Sequence, residues 1–251
     1  MEYLVIDVGG TAIKYACMNE NAEFLERGEI PTPMDSLDSY LAALGTIIHR
    51  YDHNVEGIAM CVPGIIDSVQ GVCITGGNLR YVKGLPLATL LEERYGLRVS
   101  LENDARCAAL AELWRGSLKN CADGVVIVLG SAVGGALVKN GSIHKGSHFT
   151  AGEISFIEKD GDISDICNSV GYQNGVLSLY RLVEQQTGIP AAELDGIRIF
   201  EMANRGDAGV LEAIDRFAKS LARVIHNIQA IYDPEVFAVG GAISQQNLFI
   251  E

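Results

Sequence analysis

The sequence predicts an α/β protein built from two related units, and three observations carry that prediction. Its 251 residues exceed what one small core organises and suit two units of roughly 100–130 residues each. Apolar β-type runs alternate with segments of helical periodicity, the pattern of α/β architecture. One order of elements also occurs twice. "EYLVIDVGGTAIKYACMNENAEFLERGEI" and, about 120 residues later, "GVVIVLGSAVGGALVKNGSIHKGS" each pass from a buried strand through small residues to a second strand, a polar turn and a third short strand. Residue identity between the two is low; the order is what repeats. Chance likeness of two hairpins is the plain alternative to duplication.

The elements follow in order. Leu37–Tyr51 carries Leu41, Leu44, Ile47 and Ile48 at helical spacing. "VEGIAMCVPGII" reads as a strand ending at Pro63-Gly64. Leu87–Tyr95 is a short helix stopped by Gly96. "LRVSLEND" is another strand, and "ARCAALAELWRG" a helix ending at Gly116. The boundary is expected within "GSLKNCADG", residues 116–124, giving units 1–118 and 119–251. In the second unit Gly175–Thr187 and Ile197–Ala203 read as helices, and Ala208–Tyr232 as the longest, stopped at Asp233-Pro234. "EVFAVGGAI" is the last strand.

Composition removes several classes of function. Hydrophobic residues make up 48% and charged residues 20%, which supports packed cores and excludes a disordered chain. The formal net charge is −13, and no basic run of five or more residues is visible, so nucleic acid is not an expected partner. The opening "MEYLVIDVGG" places an acid at position 2, where a secretory signal needs a basic start; the run from Tyr3 reads as a strand. No apolar run reaches the length of a membrane span, so a cytoplasmic protein without a membrane partner is expected. Six cysteines, at 17, 61, 73, 107, 121 and 167, include no C-x-x-C pair. They read as reduced, buried thiols, not a disulfide framework.

Four small-residue turns follow strands: Asp7–Thr11, Pro63-Gly64, Gly130–Gly135 and Gly240–Ala242. Glycine there lets a ligand approach the backbone, whose N–H groups suit phosphate oxygens. "GGTAIK" and "GSAVGGA" lack the G-K-[ST] ending and lead into strands, so neither is a P-loop. One such turn alone reads as a tight hairpin. Two at matched places, with a third near the C-terminus, read as a phosphate chain held between two units. Asp7, at a strand end beside the first turn, suggests Mg2+ bound through water, because a bare carboxylate would repel phosphate. An Asp bonded to its own turn is the alternative. Asp104, in "LENDARCAALAEL", stands where a strand meets a helix. It is either an N-cap or a carboxylate kept ionised by the helix N-terminus and placed to accept a hydroxyl proton. A low-pKa carboxylate is a weak base, yet it suits a loose phosphoryl transfer in which proton removal comes late.

The motifs "IDVGGTAIKYA", "VPGIID", "LENDARCAALAE", "VLGSAVGGALVKNG", "AGEISF" and "DPEVFAVGGAIS" have the order and approximate spacing found in ROK-family sugar kinases, which the chain resembles over nearly its whole length. The resemblance implies the duplicated ribonuclease-H-like ATPase fold of hexokinase and actin, with a mixed sheet in each lobe and ATP and sugar in the cleft between. It implies ATP and Mg2+ as partners in phosphorylating a hexose, usually at O6. Position by position, Asp7, Gly9, Gly10 and Thr11 look like the first phosphate motif. Gly130, Ser131, Gly134 and Gly135 look like the second, and Gly240 and Gly241 like the adenosine motif. Asp104 matches the catalytic base, Asn103 a sugar-hydroxyl ligand beside it, and Glu153 the sugar-binding glutamate, facing Asp104 across the cleft. Gly64 and Asn78 lie where the family lines its sugar pocket.

The departures are specific. Ser131 and Ala132 replace the Thr and Gly of the family's G-T-G-I-G-G. Phe156 replaces the His after A-G-E-I-G, and the C-x-C-G-x-x-G-C-x-E zinc motif is absent; only Cys167 stands in that region. One thiol cannot supply a tetrahedral zinc site, so no structural zinc is expected, and Asp165, Asn168 and Tyr172 are candidate replacements for the lost sugar contacts. The chain therefore resembles the zinc-motif-lacking, β-glucoside kinase- or glucokinase-like subgroup. It ends soon after Ser244, short of the helices and strand with which family members continue. Homodimers or homotetramers are the family's habit. A non-catalytic sugar-binding homologue and a sugar-responsive regulator are the competing readings. Glucose is the default acceptor and a β-glucoside the alternative, since loss of the zinc loop opens room beside the anomeric position.

Overall fold

The computed structural model describes residues 1–159 and 161–250, without the side chain of Ile250. It divides into two compact units, Met1–Cys107 and Ala108–Glu251, the division falling inside one helix.

In the first unit, β1 (Glu2–Val8), β2 (Ala12–Asn19) and β3 (Phe24–Pro31) form an antiparallel meander. Then come α1 (Leu37–Ile48), β4 (Gly57–Val62), a small ribbon of β5 (Ile66–Asp67) and β6 (Val72–Cys73), α2 (Leu87–Tyr95), β7 (Arg98–Asn103) and α3 (Asp104–Arg115). The five-stranded sheet has the order β3-β2-β1-β4-β7, with β4 and β7 parallel to β1. Alternate residues Leu4, Ile6 and Val8 of β1 are buried against Tyr40, Leu44 and Ile48 of α1 in one core, as period 2 against period 3.6 requires. Each such fully buried Leu or Ile contributes about 1.5–3 kcal/mol. The helix expected to reach Tyr51 stops at Ile48.

The second unit repeats the plan. β8 (Gly124–Leu129), β9 (Val133–Lys139) and β10 (Ser142–His144) are antiparallel, and a later strand joins β8 in parallel. Between them lie a 3-10 turn at Ile154–Phe156, α4 (Val170–Asn174), α5 (Val176–Thr187), α6 (Gly196–Asn204) and α7 (Ala208–Tyr232). β11 (Val236–Gly240) and α8 (Asn247–Ile250) follow. The order β10-β9-β8-β11 matches β3-β2-β1-β4, and that shared order is the structural form of the repeat. β8 is buried on both faces: Val125, Ile127 and Leu129 join the helical core, while Val126 joins Ala109, Leu118 and Val138 on the other side. Such a strand reads as a continuous apolar run.

α7 buries Val210, Ala213, Ile214, Phe217, Leu221, Val224 and Ile228, a single 3.6-period stripe. The Asp207 side chain caps it by accepting from the Val210 N–H at 3.0 Å, and Asp233, at φ +50°, ends it before Pro234. Three expectations are corrected. The helix expected over Gly175–Thr187 begins one residue later, at Val176: Gly175 is its extended N-cap, and a Cβ there would fall 2.3 Å from the Ser131 carbonyl oxygen, so glycine fits. The last strand ends at Gly240, not Ile243. Cys167 is exposed, whereas Cys17, Cys73 and Cys121 are buried and Cys61 and Cys107 half-buried; all six are free thiols. No helix among the described residues is long and apolar enough to cross a membrane.

Candidate active site

The parallel strands β1, β4 and β7 all end at the same edge of the first sheet, and the chemistry-bearing residues of that unit collect there. In open α/β sheets the carboxyl ends of parallel strands are where ligands bind. β1 delivers Asp7, an exposed residue whose Oδ1 accepts from the Cys61 thiol at 2.9 Å. The turn that follows is closed by the Gly9 N–H on the Ala12 carbonyl at 3.0 Å, and Thr32 Oγ1 donates to the Gly9 carbonyl at 2.7 Å. Gly10 and Thr11 stand exposed at its tip. A Cβ on Gly10 would meet nothing nearer than Asn78 Nδ2 at 4.0 Å, so the turn presents open backbone.

β4 runs into Gly64, whose φ of +100° is the left-handed region. A Cβ there would lie 2.7 Å from the Thr75 carbonyl and 2.8 Å from the Gly77 nitrogen. Glycine therefore lets the 63–65 segment seat against the 75–77 loop that carries the exposed Asn78. β7 delivers Asn103, which is buried. Its Nδ2 donates to the Gly64 carbonyl at 3.0 Å, and its Oδ1 accepts the Arg106 N–H at 3.1 Å. Asn103, not Asp104, thus caps α3. Beneath it, fully buried Arg106 pairs with buried Glu102 at 3.5 Å, and Glu102 Oε1 accepts the Asn103 N–H at 2.9 Å.

Asp104 is the first residue of α3, exposed at the surface of the unit, with Oδ1 accepting the Ala105 N–H at 2.8 Å. Surrounding atoms withdraw enough water from its carboxyl to raise its pKa above the ordinary 3.8; the negative charge of Asp7 raises it further, against the lowering effect of its hydrogen bonds with Ala105 and Asn103. The expectation of a low-pKa carboxylate is corrected: desolvation outweighs the helix N-terminus.

The second unit repeats the arrangement at the ends of β8 and β11. The Gly130 N–H donates to the Ala132 carbonyl at 2.9 Å, and the Gly130 carbonyl accepts the Val176 N–H at 2.8 Å. Ser131 and Ala132 are exposed between them. Gly240 sits in register with Val128, and Gly241, at φ +99°, passes so close that a Cβ would fall 2.2 Å from the Leu129 carbonyl oxygen. Gly134 and Gly135 lie within β9. Gly135 admits Gly152, because a Cβ at 135 would stand 2.4 Å from the Gly152 carbonyl oxygen. That close approach sets the position of half-buried Glu153, which heads the Ile154–Phe156 turn. Ser155 Oγ donates to the Val133 carbonyl, Ile154 is buried, and Phe156 is 67% exposed.

Beyond it, the 162–169 segment closes on itself. Asp165 accepts the Cys167 N–H at 2.9 Å, and Asn168 Nδ2 donates to the Asp162 carbonyl at 3.1 Å. Both are engaged in their own loop. Tyr172 is stacked under the Arg181 guanidinium, 3.8 Å from its ring centre. Sequence reasoning missed Thr32, Cys61 and Arg106; the i, i+4 spacing of Glu102 and Arg106 was the one signal that could have found a pair.

Two α/β units of one strand order, each with an exposed glycine turn at the end of its first strand, define the ribonuclease-H-like ATPase class of fold. The match to the model of the ROK family extends over residues 3–251, and the chain belongs to that family. It is 32% identical to the N-acetyl-D-glucosamine kinase of Vibrio cholerae, over 99% of this chain and 87% of that protein. It is 29% identical to the β-glucoside kinase of Klebsiella pneumoniae, over 100% of this chain and 84% of that protein. Among solved structures, the Lmo2764 protein of Listeria monocytogenes superposes with a TM-score of 0.91 at 28% identity, covering 100% of this chain and 86% of that one. By class the chain is a sugar kinase.

Proposed function

We propose that the chain transfers the γ-phosphoryl group of ATP to the 6-hydroxyl of a hexose or hexoside, with Asp104 as general base. The observation that carries this reading is the setting of Asp104: desolvation and Asp7 raise its pKa while the Ala105 amide and Asn103 orient it. A carboxylate of raised pKa accepts a proton better than an ordinary one. The sugar hydroxyl oxygen attacks the γ-phosphorus, the bond to the bridging oxygen breaks, ADP leaves with the electron pair, and the hydroxyl proton passes to Asp104.

In this reading Asn103, Asn78, Glu153 and the Gly64 backbone hold sugar hydroxyls. The turns of Gly9, Gly10 and Thr11, and of Gly130, Ser131, Gly134 and Gly135, hold phosphate oxygens, and Gly240 and Gly241 border the adenosine. Backbone amides aimed at transferring oxygens stabilise charge that builds in the transition state. The donor set fits Mg2+: an exposed Asp7 carboxylate lies beside the first turn, and its charge acts on Asp104, so a cation bound there through water would screen the two carboxylates. Bound Mg2+ neutralises phosphate charge. A cytoplasmic homodimer or homotetramer completes the reading.

The relatives named for N-acetyl-D-glucosamine and for β-glucosides point to an acceptor larger than glucose. A cavity of about 560 Å3, lined by Phe156, Ile166 and Tyr172, is an apolar neighbour suited to a sugar substituent. Coupled ADP release over glucose, N-acetylglucosamine and cellobiose tests the proposal. Sugar-stimulated release, with phosphate found on C6 by NMR, is expected. No stimulation by any of the three, or phosphate at another carbon, overturns it.

A further inference from the structure

In a chain of net charge −13, five cationic side chains converge on one groove of the second unit. It has a volume of about 670 Å3, and Lys159, Arg181, Arg216, Lys219 and Arg223 line it; no described carboxylate does. The convergence follows from the helix. Residues 216, 219, 220 and 223 recur at i, i+3, i+4 and i+7 on α7, forming one stripe beside the buried Phe217, Leu221 and Val224. Lys159 reaches in from the segment after Phe156.

Most of that charge is not neutralised within the protein. Lys219 pairs with Asp215 at 2.7 Å, but Arg216 and Arg223 form no ion pair among the described residues. Lys159 Nζ donates to two neutral acceptors, Asn174 Oδ1 at 3.2 Å and Ser220 Oγ. Burial pushes the Lys159 pKa down and the positive charge of Arg223 lowers it further; an anion would relieve the repulsion between the two cations. Arg181 is anchored by donating to the Tyr172 carbonyl at 2.8 Å and by lying over the Tyr172 ring, which holds its remaining donors in place. Below the groove Asn174 is fully buried, and its Nδ2 has no acceptor, uncommon for a buried amide.

Clustered like charges repel one another and are maintained where a counter-charge binds. Planar guanidinium forks match phosphate oxygens two at a time, and the groove exceeds the volume of one phosphate ion. We propose that it binds a small molecule carrying two or more phosphate charges, at a place apart from the glycine turns. Neither Gly130, Ser131 nor Gly241 lines it. The inference goes beyond the kinase reading and stands whether or not a sugar is phosphorylated.

Calorimetric titration of the full chain with inorganic tripolyphosphate and, separately, with glucose 6-phosphate tests the site and distinguishes a polyphosphate from a sugar phosphate. Arg216→Gln/Arg223→Gln removes two exposed charges with a residue that tolerates helices. It is expected to weaken the tighter-binding probe at least about ten-fold. Lys83→Gln/Arg98→Gln, the same charge change on the first unit, is expected to alter it less than about two-fold at 0.15 M salt. Unaltered binding in the groove variant, equal losses in both variants, or no saturable binding of either probe overturns the proposal. Circular dichroism establishes that each variant is folded, and basal ADP release should be alike in the two.

Discussion

Asn103 joins two strand ends: its Nδ2 donates to the Gly64 carbonyl at 3.0 Å while its Oδ1 caps α3 through the Arg106 N–H at 3.1 Å. One side chain thus fixes the loop after β4 and the start of the helix that carries Asp104. Asn103→Ala is expected to lose about 1–2 kcal/mol of stability from the cap and about a hundred-fold in kcat/KM. Asn103→Asp keeps an acceptor for Arg106 but sets a carboxylate against the Gly64 carbonyl, so more stability and little activity should be recovered. Urea melts beside ADP-release assays separate the two losses; equal activity in the alanine variant and the parent would remove Asn103 from the site.

The raised pKa of Asp104 predicts two pH effects. With Asp104 as the proposed base, activity should fall as pH drops and it is protonated, and the acid limb of kcat/KM should lie above the ordinary carboxylate value of 3.8. Asp7→Asn removes a charge that raises this pKa and should move the limb to lower pH, whatever it does to the maximal rate. For stability the sign is opposite to that of a salt-bridged acid. The folded chain holds the Asp104 proton more tightly than the unfolded chain, so that stabilisation is full below 3.8 and is lost as pH rises through the folded pKa. Asp104→Asn should therefore melt higher than the parent at neutral pH, converge with it near the ordinary carboxylate pKa, and release no ADP above background. A variant that melts lower at pH 7 with full turnover would contradict both roles.

Arg106 and Glu102 form a buried pair under the site. Arg106→Met leaves the Glu102 charge buried and should cost about 3–5 kcal/mol. Glu102→Gln/Arg106→Met, which removes both charges and keeps an acceptor for the Asn103 N–H, should recover most of that. Denaturant midpoints for the two variants decide it; an equal loss in both would mean that packing, and not charge, is what Arg106 supplies.

The repeat, the glycine turns and the long α7 were legible in the sequence because they depend on local signals: β-type apolar runs, φ-permissive residues, and a 3.6-period stripe with an Asp before it and Asp-Pro after. What was not legible depends on long-range neighbours. Asp104 reads as a cap until β4 brings the Gly64 carbonyl to Asn103 and fixes which of two adjacent residues takes that place. Its pKa could not be read from a helix N-terminus alone, since the opposing desolvation exists only in the folded chain and the charge of Asp7 comes from almost 100 positions away. Gly135 reads as a phosphate residue, yet its close approach to Gly152 is visible only once β9 and the 151–153 segment are side by side.

Phe156 tests where acceptor preference lies. It is 67% exposed, too open to serve the core, and it follows Glu153 on one turn while bordering the apolar cavity with Ile166 and Tyr172. An exposed aromatic beside Glu153, the proposed sugar ligand, can contact the sugar's substituent without holding the fold. Phe156→Ala is therefore expected to change stability by less than about 0.5 kcal/mol. If the substituent packs on this ring, losing part of an aromatic contact is worth about 1–2 kcal/mol. KM for cellobiose or N-acetylglucosamine should then rise about ten-fold with kcat little changed, the sign of binding lost equally from ground and transition states. Glucose, lacking the substituent, should be nearly indifferent. The same rise in KM for glucose would instead place Phe156 against the ring shared by all three sugars, and the substituent would have to be accommodated elsewhere.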